Sequence, residues 1–429
     1  MKSSIEKAEL LSPAGNFEKL RLALAYGADA VYGGVSAFSL RVRSGREFTY
    51  ESFAKAIDYT HKKGKKIYVT INGFPFNAQI PLLEKHIIKI AELKPDAFIV
   101  ATPGVIKMCQ KFAPNMPLHL STQANVLNYM DAQVYHEMGV KRIVAAREVG
   151  LKDLAKIKEK LPNLQIEVFV HGSMCFAYSG RCLISSVQSG RVPNRGSCAN
   201  DCRFSYELYA KNEESGTLFR LEEDENGTHI LNAKDLNLAS RLDEVLKSGV
   251  VDALKIEGRT KSPYYVATTA KTYRQAIDDF YSGAFEPKNY EDELNTTKNR
   301  GFSQGYLVRH PSEKQQNLQN LQTSISEGSY QVYALVSEDG KSFKAKDTII
   351  KNQEYEIMAS EQIQECKNEI GEIKKKDEKY FLTLFNIKAT NNKEFEEVHS
   401  GNIHDIILPC KLTAFSFLRL PTNIKIRKD

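Results

Sequence analysis

Over its first 260 residues the chain alternates short apolar runs with stretches of helical periodicity, the pattern of a parallel α/β architecture. The apolar runs fall at 9–12, 30–33, 66–71, 97–101, 117–121, 142–146, 165–170 and 253–256, and each predicts a strand. The stretches between them carry helix-end signals. Asn16 is placed to cap a helix whose Phe17, Leu20 and Leu24 share one face, and Gly27 ends it. Gly64 closes a helix that begins near Thr49, and Ser262-Pro263 opens the helix after the eighth run. Eight βα units within residues 1–285 predict a (β/α)8, TIM-like barrel. A doubly wound open sheet is the rival, but the first run leads into SPAGNFEKL, which has none of the glycine spacing of a dinucleotide-binding turn.

The spacing swells between the seventh and eighth runs, giving a cysteine-rich insert at 171–232. A hairpin is expected there, with one strand near 204–211, a turn-rich acidic stretch at 221–227 and a second arm at 229–232. Barrels build their sites on the loops that follow the strands, so the insert belongs to the functional face. Residues 286–326 are polar and poorly periodic, as in a connector. Beyond them the period changes to two, with segments at 329–336, 342–350, 354–359, 380–387 and 403–408, which predicts a small antiparallel β-barrel domain at 327–429. Its lysines Lys341, Lys344, Lys346, Lys374, Lys375 and Lys376 suit either phosphate contact or an ordinary solvated face.

Charge narrows the picture only slightly. A net charge of +6 is compatible with nucleic acid or a small anionic metabolite as partner without singling either out. The N-terminal MKSSIEKAELLSPAG has no apolar signal core and no run reaches membrane-spanning length, so the expectation is a cytoplasmic protein with no membrane partner. In a reducing compartment clustered cysteines read as metal-binding or catalytic rather than disulfide-bonded. Cys109, Cys366 and Cys410 stand apart from the others and read as packing residues.

The remaining four, Cys175, Cys182, Cys198 and Cys202, lie within 28 residues at C-x6-C-x15-C-x3-C spacing. Thiolates are soft anionic donors, and four complete a tetrahedral ion or a four-iron cluster. The first gap is too wide for a zinc-ribbon knuckle, and Ser205 breaks the C-x3-C-x2-C pattern of radical S-adenosylmethionine sites. The spacing puts an iron–sulfur cluster first and leaves structural zinc and buried or redox thiols open. Arg181, Arg191, Arg195 and Arg203 add a local positive field.

Polar residues just past the predicted strands form a second set: Arg41 and Arg43, Asn72, Gln123, Arg147 and Glu148, His171, and Glu257, Arg259 and Lys261. Gathered at one barrel mouth, the arginines among them suit a carboxylate or phosphate ligand. His171, Glu257 and Arg259 are the candidate catalytic residues. Arg41, Arg43, Asn72, Gln123, Arg181 and Lys261 are candidates for substrate binding. His171, four residues before Cys175, reads as a general base, a metal ligand or, first among the three, a hydrogen-bonded structural imidazole. Peptidase signatures are mostly absent: Val140 breaks H-E-x-x-H after His136-Glu137, and Gly34-Val35-Ser36-Ala37-Phe38 lacks the last glycine of a nucleophile elbow. A cysteine protease on Cys175 and His171 is conceivable, but two residues so near in sequence rarely give nucleophile–base geometry without strain.

The segments ELLSPAGN (9–16), YGADAVYGG (26–34), SLRVR (39–43), HLSTQAN (119–125), FVHGSMCFAYSGRCL (169–183), PNRGSCANDCR (193–203) and LKIEGRTKSPYYV (254–266) resemble the collagenase-like peptidase family, the thirty-second of the peptidases of unassigned mechanism. The resemblance spans most of residues 8–310 and leans toward the family's bacterial, prephenate-dependent branch that hydroxylates wobble uridine in tRNA at C5. It implies an oxygen-independent tRNA hydroxylase with a 4Fe-4S cluster on Cys175, Cys182, Cys198 and Cys202, prephenate as co-substrate, and tRNA and the iron–sulfur assembly machinery as partners. The family's older name implies the alternative, a collagenase-like peptidase; an RNA-binding protein with a structural or redox-sensing cluster is a third reading. Related ubiquinone hydroxylases draw one cluster ligand from elsewhere in the chain. The chain departs from its longer tRNA-hydroxylating relatives in a shorter insert after Arg203 and in Ser173, where alanine is usual. Neither departure touches a thiolate, but the shorter insert bears on substrate recognition.

Overall fold

All eight apolar runs form strands in the computed structural model, which describes residues 7–35, 38–39, 48–175, 177–191, 193, 198–204, 206–216, 218–221, 233–308 and 326–423. They are β1 (Glu9–Pro13), β2 (Ala30–Gly33), β3 (Lys66–Ile71), β4 (Ala97–Val100), β5 (Leu118–Leu120), β6 (Arg142–Val144), β7 (Gln165–Ser173) and β8 (Ala253–Ile256). Each pairs in parallel with the next, and β8 pairs with both β7 and β1, so the sheet closes into a barrel. Strands buried on both faces read as unbroken apolar runs, which is why a single sequence exposes them.

Helices return the chain between strands. α1 (Phe17–Ala25) is capped by Asn16, whose side chain accepts from the Lys19 amide, and α2 (Tyr50–Lys62) by Thr49. After β8 the long helix Pro263–Ser282 opens on Ser262, which accepts from the Tyr265 amide, with proline in its first turn.

Two features within the first 308 residues depart from expectation. The insert hairpin pairs Leu208–Lys211 with Leu218–Leu221 around a turn in which Asn212 Oδ1 accepts from the amides of Glu214 and Ser215. Asparagine turn chemistry thus moves the second arm forward; the expected arm at 229–232 lies outside the described residues. The described part of the polar connector, residues 286–308, is also more ordered than its composition implies. It forms the helix Pro287–Asn295, and its strand Phe302–Ser303 pairs with Asp235–Asn237, a strand that itself runs antiparallel to the end of β7.

The barrel interior is not purely apolar. Arg142 Nη1 lies 2.6 Å from Glu9 Oε1 and 3.2 Å from Glu167 Oε2, and Lys255 Nζ lies 2.7 Å from Glu167 Oε1. Burial raises the Glu167 carboxyl, but the Lys255 ammonium and Arg142 guanidinium outweigh it and hold the group below its ordinary value.

Contacts divide the chain into two units: residues 1–291 with 299–326, and residues 292–298 with 327–429. In the second unit an eight-stranded sheet, its paired strands antiparallel, curls as a half-barrel around Phe343, Tyr355, Leu382 and Leu418. Two of its strands, Gly371–Lys376 and Phe417–Pro421, were not legible as alternating segments. Lys374 and Lys376 pair with Glu372 and Glu354 at 2.7 and 2.5 Å, as on a solvated face. Cys366 and Cys410, expected as separate packing residues, are joined by a disulfide across 44 positions of sequence while still packing against this core. The sheet brings the two together; nothing local in the sequence does. Cys109 is a buried packing thiol, pushed up to about 12 by its burial.

Candidate functional site at the barrel mouth

A cavity of about 150 Å³ opens where the strands end, and the cysteine insert forms part of its wall. Tyr32 of β2, Thr70 of β3 and the following Asn72, Ser121 and Gln123 after β5, Phe169 of β7, and Lys255, Glu257 and Arg259 on and after β8 line it. So do all four clustered cysteines, Cys175, Cys182, Cys198 and Cys202. Barrel closure therefore makes one site of two sets that the sequence keeps apart.

Close backbone approaches hold the site-bearing loops together. Gly180, in the cysteine insert, has φ +73, and a β-carbon there would strike the Gln123 carbonyl. A β-carbon on Gly15 would strike the Arg259 carbonyl, which also accepts from Lys19 Nζ at 3.0 Å. Only glycine allows such contact. The Arg259 guanidinium is buried and donates to Ser39 Oγ (2.6 Å) and Thr70 Oγ1 (3.0 Å), so the β8 loop is pinned to β3 and to the chain after β2. The Tyr32 hydroxyl donates to the Ile256 carbonyl (2.9 Å) and reaches Glu257 Oε2 at 3.3 Å. Burial, with Glu257 beside it, raises the Tyr32 phenol well above its ordinary value, so it stays protonated. Arg147 lies 4.0 Å over the Phe169 ring, and Arg203 adds a second cation to the wall.

Cys175 is exposed and the other three are half-buried. Burial pushes the Cys182 thiol up, and so do Cys175 and Cys198; burial raises Cys202 too, with Arg203 opposing and the other three cysteines adding to the rise. Groups that discourage each other's ionisation this way form one electrostatic cluster, and a cation among them reverses the effect. Four cysteines lining one cavity are soft anionic donors of the kind that a thiolate-held metal group needs. The side chains are not drawn into a closed ligand set, however: among the described residues no three His, Cys, Asp or Glu side chains cluster as ligands.

Of the candidate residues, Asn72, Gln123, Glu257 and Arg259 line the cavity. His171 does not. Register shifts between β7 and β8 where Phe169 pairs with Lys255 and His171 with Ile256, and the His171 ring ends between Tyr265, Tyr273 and Phe302 at centroid distances of 5.7, 5.5 and 5.4 Å. Burial lowers its pKa to about 3, leaving a neutral structural imidazole in place of the expected catalytic group. Lys261 is held 3.6 Å from Asp235 and 5.3 Å over the Tyr265 ring, outside the lining set. Arg181 is exposed and also outside it. Arg41, Arg43 and Arg195 lie outside the described residues. Sequence reasoning missed Tyr32, Ser121 and Lys255. A signal for Lys255 existed, a charged residue inside the otherwise apolar ALKI strand.

The profile of peptidase family U32 matches residues 15–317. The chain is 58% identical over 423 residues to the "tRNA hydroxylation protein P" of Helicobacter pylori strain 26695, covering 98% of this chain and 100% of that protein. It is 39% identical over 349 residues to the protein of the same name from Escherichia coli K12, covering 72% and 77% of the two chains. A protein named "Collagenase" from Porphyromonas gingivalis W83 is 31% identical over 318 residues, covering 71% and 74%. With these matches spanning the barrel, the cysteine insert and the cavity they enclose, the chain belongs to peptidase family U32.

Proposed function

We propose that this protein is an RNA hydroxylase that converts wobble uridine of tRNA to 5-hydroxyuridine, with a 4Fe-4S cluster on Cys175, Cys182, Cys198 and Cys202 and prephenate as co-substrate. One observation carries the reading: all four cysteines of the insert line the cavity built by the ends of the barrel strands. Replacing C5–H by C5–OH is a two-electron oxidation. The oxygen atom must come from water or a co-substrate and the two electrons must pass to an acceptor; such a cluster, when bound, would relay them one at a time. The protein's own residues do the rest. Arg147, Arg203 and Arg259 give the wall a cationic character suited to a dicarboxylate or an RNA phosphate. Asn72, Ser121 and Gln123 offer hydrogen bonds to a base that has left its stack. The names of the H. pylori and E. coli relatives point the same way.

The peptidase reading has a relative's name behind it but weak geometry. A thiol nucleophile needs a base in hydrogen-bonding reach, and the nearby histidine in sequence, His171, is packed among aromatic rings outside the lining set. The experiment is nucleoside mass spectrometry of tRNA from a deletion strain complemented with the wild-type gene or with Cys198→Ala. The wild-type gene restores 5-hydroxyuridine or its derivatives and the variant does not. An unchanged profile on deletion, or full modification by the variant, rejects the proposal. Salt-sensitive tRNA binding without product would favour the RNA-binding reading instead.

A further inference from the structure

We infer that Gln123 reads the base: its side-chain amide donates to the C4 carbonyl of the pyrimidine entering the cavity and so selects uracil over cytosine. The inference rests on the hydroxylase reading above and specifies what discriminates its substrate.

Gln123 is 5% exposed and lines the cavity, and its Nε2 is buried with no hydrogen-bond partner among the described residues. Its other end is fixed. Oε1 accepts from Ser121 Oγ at 3.2 Å, and that oxygen accepts in turn from Asn72 Nδ2 at 3.4 Å. A hydroxyl has one proton to give, so a Ser121 that accepts from Asn72 directs its proton at Gln123 and leaves Nε2 as the unpaired, buried donor. Buried donors are almost always paired, so an unpaired one on a residue of the cavity wall marks a place for a ligand acceptor.

The neighbours identify the acceptor. Gln123 sits in the tight turn Thr122–Ala124, and its carbonyl lies under Gly180 of the cysteine insert. A pyrimidine whose C5 faces the sulfurs presents C4 to the adjoining wall. Uracil carries a carbonyl there and cytosine an amino group, so the amide of Gln123 meets an acceptor in one and a second donor in the other.

The test measures fluorescence anisotropy of the full-length protein with anticodon stem–loop RNAs carrying U or C at the wobble position, alongside 5-hydroxyuridine formed in cells. The wild type should favour U by roughly tenfold. Gln123→Glu, which presents an acceptor of the same shape, should erase or invert that preference and cut 5-hydroxyuridine by roughly 10- to 100-fold. Ser121→Ala releases the amide to rotate and should lower the preference without altering charge, which keeps the inference testable should the glutamate variant fail to fold. A wild-type U-over-C ratio retained in a folded Gln123→Glu protein, or in Ser121→Ala where the glutamate variant does not fold, overturns the inference. A wild type that binds neither RNA and forms no 5-hydroxyuridine overturns instead the reading beneath it.

Discussion

Replacing Glu167 with alanine should destabilise the barrel by about 3–5 kcal/mol, the usual cost of leaving a buried charge unpaired. The carboxylate receives Lys255 Nζ at 2.7 Å and Arg142 Nη1 at 3.2 Å, and all three side chains are almost wholly buried. After the change Arg142 retains Glu9 at 2.6 Å. Lys255 is left with the faces of Tyr32 and Phe169, at 4.4 and 5.7 Å, and no carboxylate ion pair among the described residues. A cation–π contact is worth about 2 kcal/mol when desolvated, too little to replace a buried ion pair. Glu167→Met combined with Lys255→Met removes both charges and should lie within about 1 kcal/mol of the wild type. Urea unfolding followed by circular dichroism and tyrosine fluorescence is suitable, since the chain has no tryptophan. Glu167 is held below its ordinary pKa, so its contribution is complete above the unfolded value of about 4.3 and is lost as pH falls through the folded one. The gap between wild type and Glu167→Ala should therefore close in acid. A Glu167→Ala loss under about 1 kcal/mol, or a double variant no more stable than Glu167→Ala, would refute the argument.

Two further outcomes are expected. Burial lowers His86 to about 4 and His119 and His171 to about 3, so all three stay neutral in the folded chain below pH 6.5, where the unfolded chain takes up protons. Stability should fall between pH 7 and pH 5 by about 2 kcal/mol per histidine, read as a drop in Tm; a flat profile would count against their burial. Cys366→Ser should cost the second unit about 4 kcal/mol under oxidising conditions, from the loop of 44 residues it opens, and nothing further in excess reductant. Equal unfolding midpoints for variant and oxidised wild type would show that the disulfide contributes no stability.

The sequence by itself determined the elements of the barrel. Runs such as AVYG and KIYVTI are buried on both faces, and that requirement is written residue by residue. The helix starts at Asn16, Thr49 and Ser262 were legible for the same reason, because a cap is satisfied within three residues of itself. The four clustered cysteines announced a candidate site through proximity alone. What the sequence could not give was any relation fixed by register or closure. Glu167 and Lys255 are 88 positions apart, and only the pairing of β7 with β8 makes them partners. One register shift in that same pairing accompanies the loss of His171 from the site, where alternation would have counted it in. Cys366 meets Cys410 because a sheet folds between them. Gln123 gains its meaning from a serine two residues away and a cysteine loop more than fifty away. Local patterns record how much of a strand or helix is buried; which side chain faces which is decided when the barrel closes, since each pairing then constrains all the others.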